Sequence, residues 1–254
     1  MHSDIQIMLM DFTVSTQAQL EWDLLPRLYP LEQDRYRTFT SARRRHLWLM
    51  GRALLLAALT RRLGHADAAA LRTDKLGGVR YHHGAPHLSL SHCRDMLAAA
   101  LSSVRIGVDI EWPRARTALQ HAARIFPDAE ARQLETLPDA ERQAAFYTLW
   151  TLKEAAAKAA GISLWDSLHS ACFDLQAGSF RLTLPFISDG WTFMHAHVEP
   201  AWQLAVAAHG GSTAFDIECW RMTAAKQWRK QTLLRPTLIH DEHSRALPHY
   251  HIGG

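Results

Sequence analysis

An α+β fold of two lobes is predicted by three observations. Residues 146–161 carry a helical period and close on Gly161. Short alternating segments at 87–92, 96–101 and 106–111 carry the period of two that strands require. A helical region precedes strands in each half of the chain, which predicts lobes over residues 1–104 and 105–215 with a boundary near Ser102 to Arg105.

Taken in order, Ile5 to Phe12 is apolar apart from Gln6 and Asp11 and predicts a first strand. An arginine-rich helical region runs from about Pro30 to Leu63 and stops at Gly64. Within it Leu47, Met50, Leu54, Ala57 and Ala58 are spaced for a buried stripe, leaving Arg44, Arg45 and Arg52 elsewhere on the turn to face a ligand or water. Gly77-Gly78 and Gly84-Ala85-Pro86 mark turns. The strand at His87 to His92 sets Leu88 and Leu90 against Ser89 and Ser91. A second strand is expected at Met96 to Leu101. The third, Ile106 to Glu111, sets Val108 and Ile110 against Asp109 and Glu111.

Helical patterns from Ala115 to Leu137 break at Phe126-Pro127-Asp128, where Asp128 can cap the next helix and Glu130 lies in its first turn. The long central helix starts at Pro138-Asp139. Cys172 to Leu175, Ser179 to Leu184, Trp191 to Val198 and Ala201 to Ala208 predict a meander. Residues 216–254 are polar and rich in Arg and His, with Pro236 and Pro248, and predict a loosely ordered extension or surface hairpin.

Composition narrows the classes. The 254 residues are 48% apolar and 21% charged, ordinary for a globular protein, and no run approaches the roughly 18 apolar residues of a membrane span. The N-terminus lacks a basic segment ahead of an apolar one, and three well-separated cysteines argue against a disulfide framework, so a cytoplasmic setting is expected. A net charge of +3 is mild, but arginines cluster at 35, 37, 43–45 and 52, which suits phosphate groups or an acidic partner. Of the sixteen histidines, the closest groupings are His82-His83, His195 with His197, and His240 with His243; none has zinc-site spacing, and surface positions are expected.

Asp109 and Glu111, two apart on a strand, project carboxylates from one face, which is unfavourable unless a cation sits between them. Oxygen ligands favour magnesium or manganese over zinc. On the central helix Phe146, Leu149, Trp150, Ala157 and Ala160 form one stripe with Lys153 in its middle, and Glu154 and Lys158 share the flank. Lys153 either snorkels to water or reaches a buried anion. Together with Ser91, His92 and the upstream arginines, these groups suit a pyrophosphate, with catalysis by positioning and electrostatics.

Gly107-Val108-Asp109-Ile110-Glu111, followed by Trp150, Lys153, Glu154, Lys158 and Gly161 in W-x-x-K-E-x-x-x-K-x-x-G, resembles the paired signature of the 4'-phosphopantetheinyl transferases, in particular the larger surfactin-type members. Gly84-Ala85-Pro86 and His87 to His92 resemble two further elements of that family. The resemblance implies two similar α+β lobes related by a pseudo-twofold, with the site in the cleft between them, in a monomer. It implies transfer of phosphopantetheine from coenzyme A to a serine of an acidic apo acyl or peptidyl carrier protein, releasing 3',5'-ADP, with neither nucleic acid nor membrane as partner. Asp109, Glu111 and Glu154 match the magnesium ligands; Lys153 and Lys158 match lysines near the pyrophosphate; Ser91 and His92 match positions that contact coenzyme A phosphates. Arg35, Arg44, Arg45 and Arg52 are expected partners of the 3'-phosphate, and Glu130 falls where the family places a glutamate proposed as general base. Ala85 departs from the pattern, where lysine is usual; Lys75 or Arg80 could supply that contact.

Two other classes compete. A magnesium-dependent phosphodiesterase or nuclease would use the same carboxylates and lysines, but leaves the spacing of the motifs unexplained. A non-catalytic module binding nucleic acid through Arg35 to Arg62 would lose affinity steeply with salt and leaves Lys153 without a role.

Overall fold

Alternation along the first strand sets the layering. In β1 (Ile5–Asp11), Ile5, Ile7 and Leu9 turn one way and Met8 and Met10 the other, and both sets are buried. A strand apolar on both faces has to be covered on both. The computed structural model describes residues 5–113, 125–183, 190–210 and 216–241. Three helices follow β1: α1 (Gln17–Asp23), α2 (Pro30–Thr38) and α3 (Ala42–Leu63). The last is capped by the Ser41 hydroxyl, which accepts from Arg44 N, and ends on Gly64 at φ 81°, a left-handed conformation suited to glycine. A small ribbon, β2 (Leu71–Thr73) with β3 (Val79–Tyr81), leads to β4 (His87–Cys93), β5 (Met96–Ser102) and β6 (Arg105–Glu111).

The second half comprises α4 (Asp128–Glu135), α5 (Asp139–Ala160), α6 (Leu164–Ser170), β7 (Ala171–Asp174), β8 (Ser179–Leu182), β9 (Trp191–Val198) and β10 (Trp202–His209). It closes with β11 (Ile217–Met222), β12 (Trp228–Lys230) and β13 (Leu234–Asp241). Two sheets result, in the orders β12-β11-β1-β5-β4 and β6-β10-β9-β13-β8-β7. Between them lies a core of Ile5, Ile7, Leu9, Ala98 and Ala100 against Val108, Ile110, Met194, Leu204 and Val206. The outer face of the first sheet packs on α3 through Met8, Met10, Leu97 and Leu101, and that of the second on α5 through Phe193, Ala205 and Ala207. The mixed α+β architecture is as the sequence predicts.

Residues 217–241 are not the loose extension expected of them. β11 lies parallel to β1, pairing Ile5 with Ile217 and Met10 with Met222, and β13 is inserted between β9 and β8. The apolar side chains that anchor β11, Ile217, Cys219 and Met222, are buried, and Glu218, Trp220 and Arg221 between them break a strict period of two. Their partners are about 200 residues away, so no local signal announced the pairing. The helical pattern expected from residue 115 falls outside the described residues as far as 124, as do Leu184 and everything beyond Asp241. Among the described residues no helix is long and apolar enough to cross a membrane.

His195 is not at the surface as expected but buried on β9, between Gln203 Oε1 at 2.6 Å and Thr148 Oγ1 at 3.3 Å. Burial, with a smaller push from His197, lowers its pKa to about 4 from 6.5. The unfolded chain therefore takes up a proton as pH falls through 6.5 while the folded one resists until about 4, so stability drops over that window. This group alone should cost about 2 kcal/mol between pH 7 and pH 5. Urea unfolding at the two pH values should show that loss, and H195Q should show a smaller one; an equal loss in the variant would assign the acid sensitivity elsewhere.

Candidate active site

One position on β6 decides where α5 sits. A Cβ on Gly107 would lie 1.9 Å from Ala155 O and 2.7 Å from Ala159 N, so only glycine admits the helix at this distance. Asp109 and Glu111 share the face of Gly107, because the strand repeats every two residues. Glu154 and Lys158, one turn apart on α5, lie over the same end of the strand. Lys158 Nζ donates to Asp109 Oδ1 at 2.8 Å and to Val108 O at 3.1 Å. From β4, Ser91 Oγ donates to the same Asp109 oxygen at 2.6 Å, and Ser89 Oγ accepts from Val108 N at 3.0 Å. The pairs predicted from strand and helix spacing therefore meet in one place.

A cavity of about 840 Å³ opens above them. Its floor is Ser89, Ser91, His92, Asp109 and Glu111; one wall is the N-terminal half of α3, the other Glu154, Ala157, Lys158 and the turn 161–164. The first turn of α3 adds the positive end of its helix dipole to Arg43 and Arg44, which suits an anion. The electrostatics of the floor are opposite. Burial raises the pKa of Glu154, Lys158 draws it back, and the charges of Asp109 and Glu111 raise it further. Asp109 Oδ2 is buried with no hydrogen-bond partner. An orphaned buried carboxylate oxygen among repelling carboxylates fits a hard divalent cation by its donor chemistry. Among the described residues no three Asp, Glu, His or Cys side chains already stand as a metal-binding cluster. Partial burial first, then the Lys158 and Arg43 charges, lower the pKa of His92 against the pull of Asp109, so it is neutral at pH 7.

Several expected site residues lie elsewhere. Lys153 is fully buried and does not line the cavity, with its ammonium 2.9 Å from Glu130 Oε2, 2.8 Å from Leu168 O and bonded to Ala171 O. Glu130 is equally buried and accepts from Phe173 N at 2.8 Å. Neither lines the cavity. The places expected for them, a lysine at the pyrophosphate and a general base, are thus corrected: the pair fastens α4, α5 and β7 together. One step along a helix is about 100°, so Lys153 points away when Glu154 points in.

The arginines divide similarly. Arg35, Arg44 and Arg52 line the cavity, whereas Arg45 turns aside to Phe39 O at 2.7 Å. Arg52 is held by Glu32 Oε2 at 2.8 Å and Thr73 Oγ1 at 2.6 Å and lies over the Trp48 ring, so its charge is already balanced. Arg43, counted in the arginine cluster but not among the expected partners of the 3'-phosphate, also lines the cavity, two residues past the Ser41 cap. The lip is formed by residues 73–79, where Asp74 Oδ1 accepts from Gly78 N and Leu76 N. Gly84-Ala85-Pro86 does not reach the cavity, so the departure at Ala85 loses its importance.

The segment that carries the paired motifs is similar to known proteins. Residues 105–207 match the model of the 4'-phosphopantetheinyl transferase superfamily. That segment, about two fifths of the chain, is similar to the superfamily. Among curated phosphopantetheinyl transferases, the chain is 31% identical to HetI of Nostoc over 153 residues, 57% of this chain and 64% of that protein. It is 30% identical to psf-1 of Bacillus pumilus over 133 residues, 52% of this chain and 57% of that protein. It is 27% identical to Sfp of Bacillus subtilis over 188 residues, 70% of this chain and 81% of that protein. The chain thus covers less than two thirds of the length of the first two relatives. The matched segment holds all of β6 and α5, and with them Asp109, Glu111 and Glu154.

Proposed function

We propose that the protein transfers 4'-phosphopantetheine from coenzyme A to a serine of an apo carrier protein. The observation that carries this reading is a single cavity joining an arginine-lined helix N-terminus to Asp109, Glu111, Glu154 and Lys158. A molecule with a phosphate at one end and a pyrophosphate in its middle matches that division of charge. Arg35, Arg43 and Arg44 take the 3'-phosphate. Lys158 faces the pyrophosphate, beside the oxygen that leaves.

In the reaction the serine Oγ bonds to the β-phosphorus, the bond from that phosphorus to the bridging oxygen breaks, and 3',5'-ADP departs with the electron pair. The serine proton passes to the medium. Asp109, Glu111 and Glu154 would hold a magnesium or manganese ion, which would supply positive charge against the pyrophosphate oxygens. Lys158 contributes charge on the leaving side, and the rigid β6–α5 contact keeps these groups aligned. Carrier proteins of acidic surface suit the basic wall of α3 by electrostatic attraction during encounter. The protein is taken to act as a monomer in the cytoplasm.

Intact mass of an apo acyl or peptidyl carrier protein, incubated with this protein, coenzyme A and magnesium, tests the reading. The expected result is a gain of one phosphopantetheine, abolished by EDTA. Unmodified fatty-acid, polyketide and peptidyl carriers beside a working control enzyme would overturn it.

A further inference from the structure

We infer that Lys158 and the divalent cation compete for the single negative charge of the Asp109 carboxylate, so that arrival of the cation hands the lysine over to the pyrophosphate. The inference rests on the function proposed above and adds a coupling that the reading does not contain. Its basis is an asymmetry in how the three partners are held.

Asp109 is fixed. Its side chain is 5% exposed on a central position of β6, and Ser91 Oγ clamps Oδ1 from the neighbouring strand at 2.6 Å. Lys158 is movable. Its side chain is 29% exposed in the last turn of α5, and its ammonium has two protein acceptors, Asp109 Oδ1 and Val108 O. Lys153 on the same helix shows what a permanently lodged lysine looks like, with 0% exposure and Glu130 and two carbonyls around it. A lysine meant only to neutralise Asp109 could be buried in that way; Lys158 instead borders the cavity.

A cation bound by Asp109, Glu111 and Glu154 has the partnerless Asp109 Oδ2 to take, while Lys158 holds Oδ1 of the same carboxylate at 2.8 Å, and an ammonium so close to a dication is repelled. The free end of the lysine then has one direction to go, into the cavity. There a pyrophosphate offers new acceptors, so cation and co-substrate each favour binding of the other. Ser91 takes the part of a positioning residue: it keeps Asp109 in place whichever cation the carboxylate faces.

The test is Mn²⁺ titration of the full chain, read from the electron paramagnetic resonance of free Mn²⁺, with and without coenzyme A. Wild type, K158Q, K158R and D109N are compared. Without coenzyme A, K158Q should bind Mn²⁺ about tenfold more tightly than wild type or beyond, because the competitor is gone, while K158R should stay within about threefold of wild type. Coenzyme A should tighten Mn²⁺ binding more in wild type than in K158Q. If K158Q binds no more tightly than wild type while D109N has lost Mn²⁺, the metal site stands and the competition is overturned. If wild type and D109N bind Mn²⁺ equally weakly even with coenzyme A, the metal assignment falls and the competition with it.

Discussion

Replacing Lys153 with methionine is expected to destabilise the protein by about 3–5 kcal/mol, the range found when one partner of a buried ion pair is removed. Glu130 would be left in a site where it is 1% exposed, facing the rings of Phe126 and Phe173 that now flank Lys153. Leu168 O and Ala171 O would lose their shared donor, so the junction between α6 and β7 would loosen as well. Burial already raises the pKa of Glu130 against the pull of Lys153. Without the lysine it rises further, and the folded variant then holds a proton that the unfolded chain has lost above its ordinary 4.5. Stability of K153M is therefore present at low pH and lost as pH rises through the folded pKa, so its deficit should shrink on acidification. Urea unfolding of K153M, E130Q and the double variant checks this. The double variant should recover part of the loss, because no unpaired charge remains. Single variants within about 1 kcal/mol of wild type would show that the pair is not what fastens these elements.

If the proposed function holds, replacing Asp109 with asparagine is expected to lower phosphopantetheine transfer by at least about 100-fold, the scale set by removing one preorganised electrostatic group from a reacting site. Asparagine is the informative choice. Its amide oxygen still accepts from Ser91 Oγ and Lys158 Nζ, which reach Asp109 Oδ1 at 2.6 and 2.8 Å, so β4, β6 and α5 stay joined. What disappears is the negative charge. A melting temperature within a few degrees of wild type, beside lost transfer, would assign the carboxylate to catalysis. Undiminished transfer by a folded D109N would remove Asp109 from the metal set and with it the main argument for a cation on this floor.

The two expectations concern positions 153 and 109, and the sequence served them unequally. That Asp109 and Glu111 share a face followed from the period of a strand, and that Glu154 and Lys158 share a flank followed from the period of a helix. Gly161 as the stop of α5, at φ 69°, was equally local. These relations hold within one element, and one element's geometry is the same wherever it packs. The seating of α5 was not of this kind. Both the centre of the stripe, at Lys153, and its flank, at Glu154 and Lys158, carry charge, and only the contact at Gly107 decides that Glu154 and Lys158 face β6 while Lys153 turns to Glu130, 23 positions back. The return of β11 to β1, and the division of arginines between Arg35, Arg43 and Arg44 in the cavity and Arg45 outside it, depend likewise on partners distant in the chain. The sequence by itself determined which groups stand side by side on a strand or helix. The tertiary structure decided which of them face one another, because burial and ion pairing act between surfaces that only packing brings together.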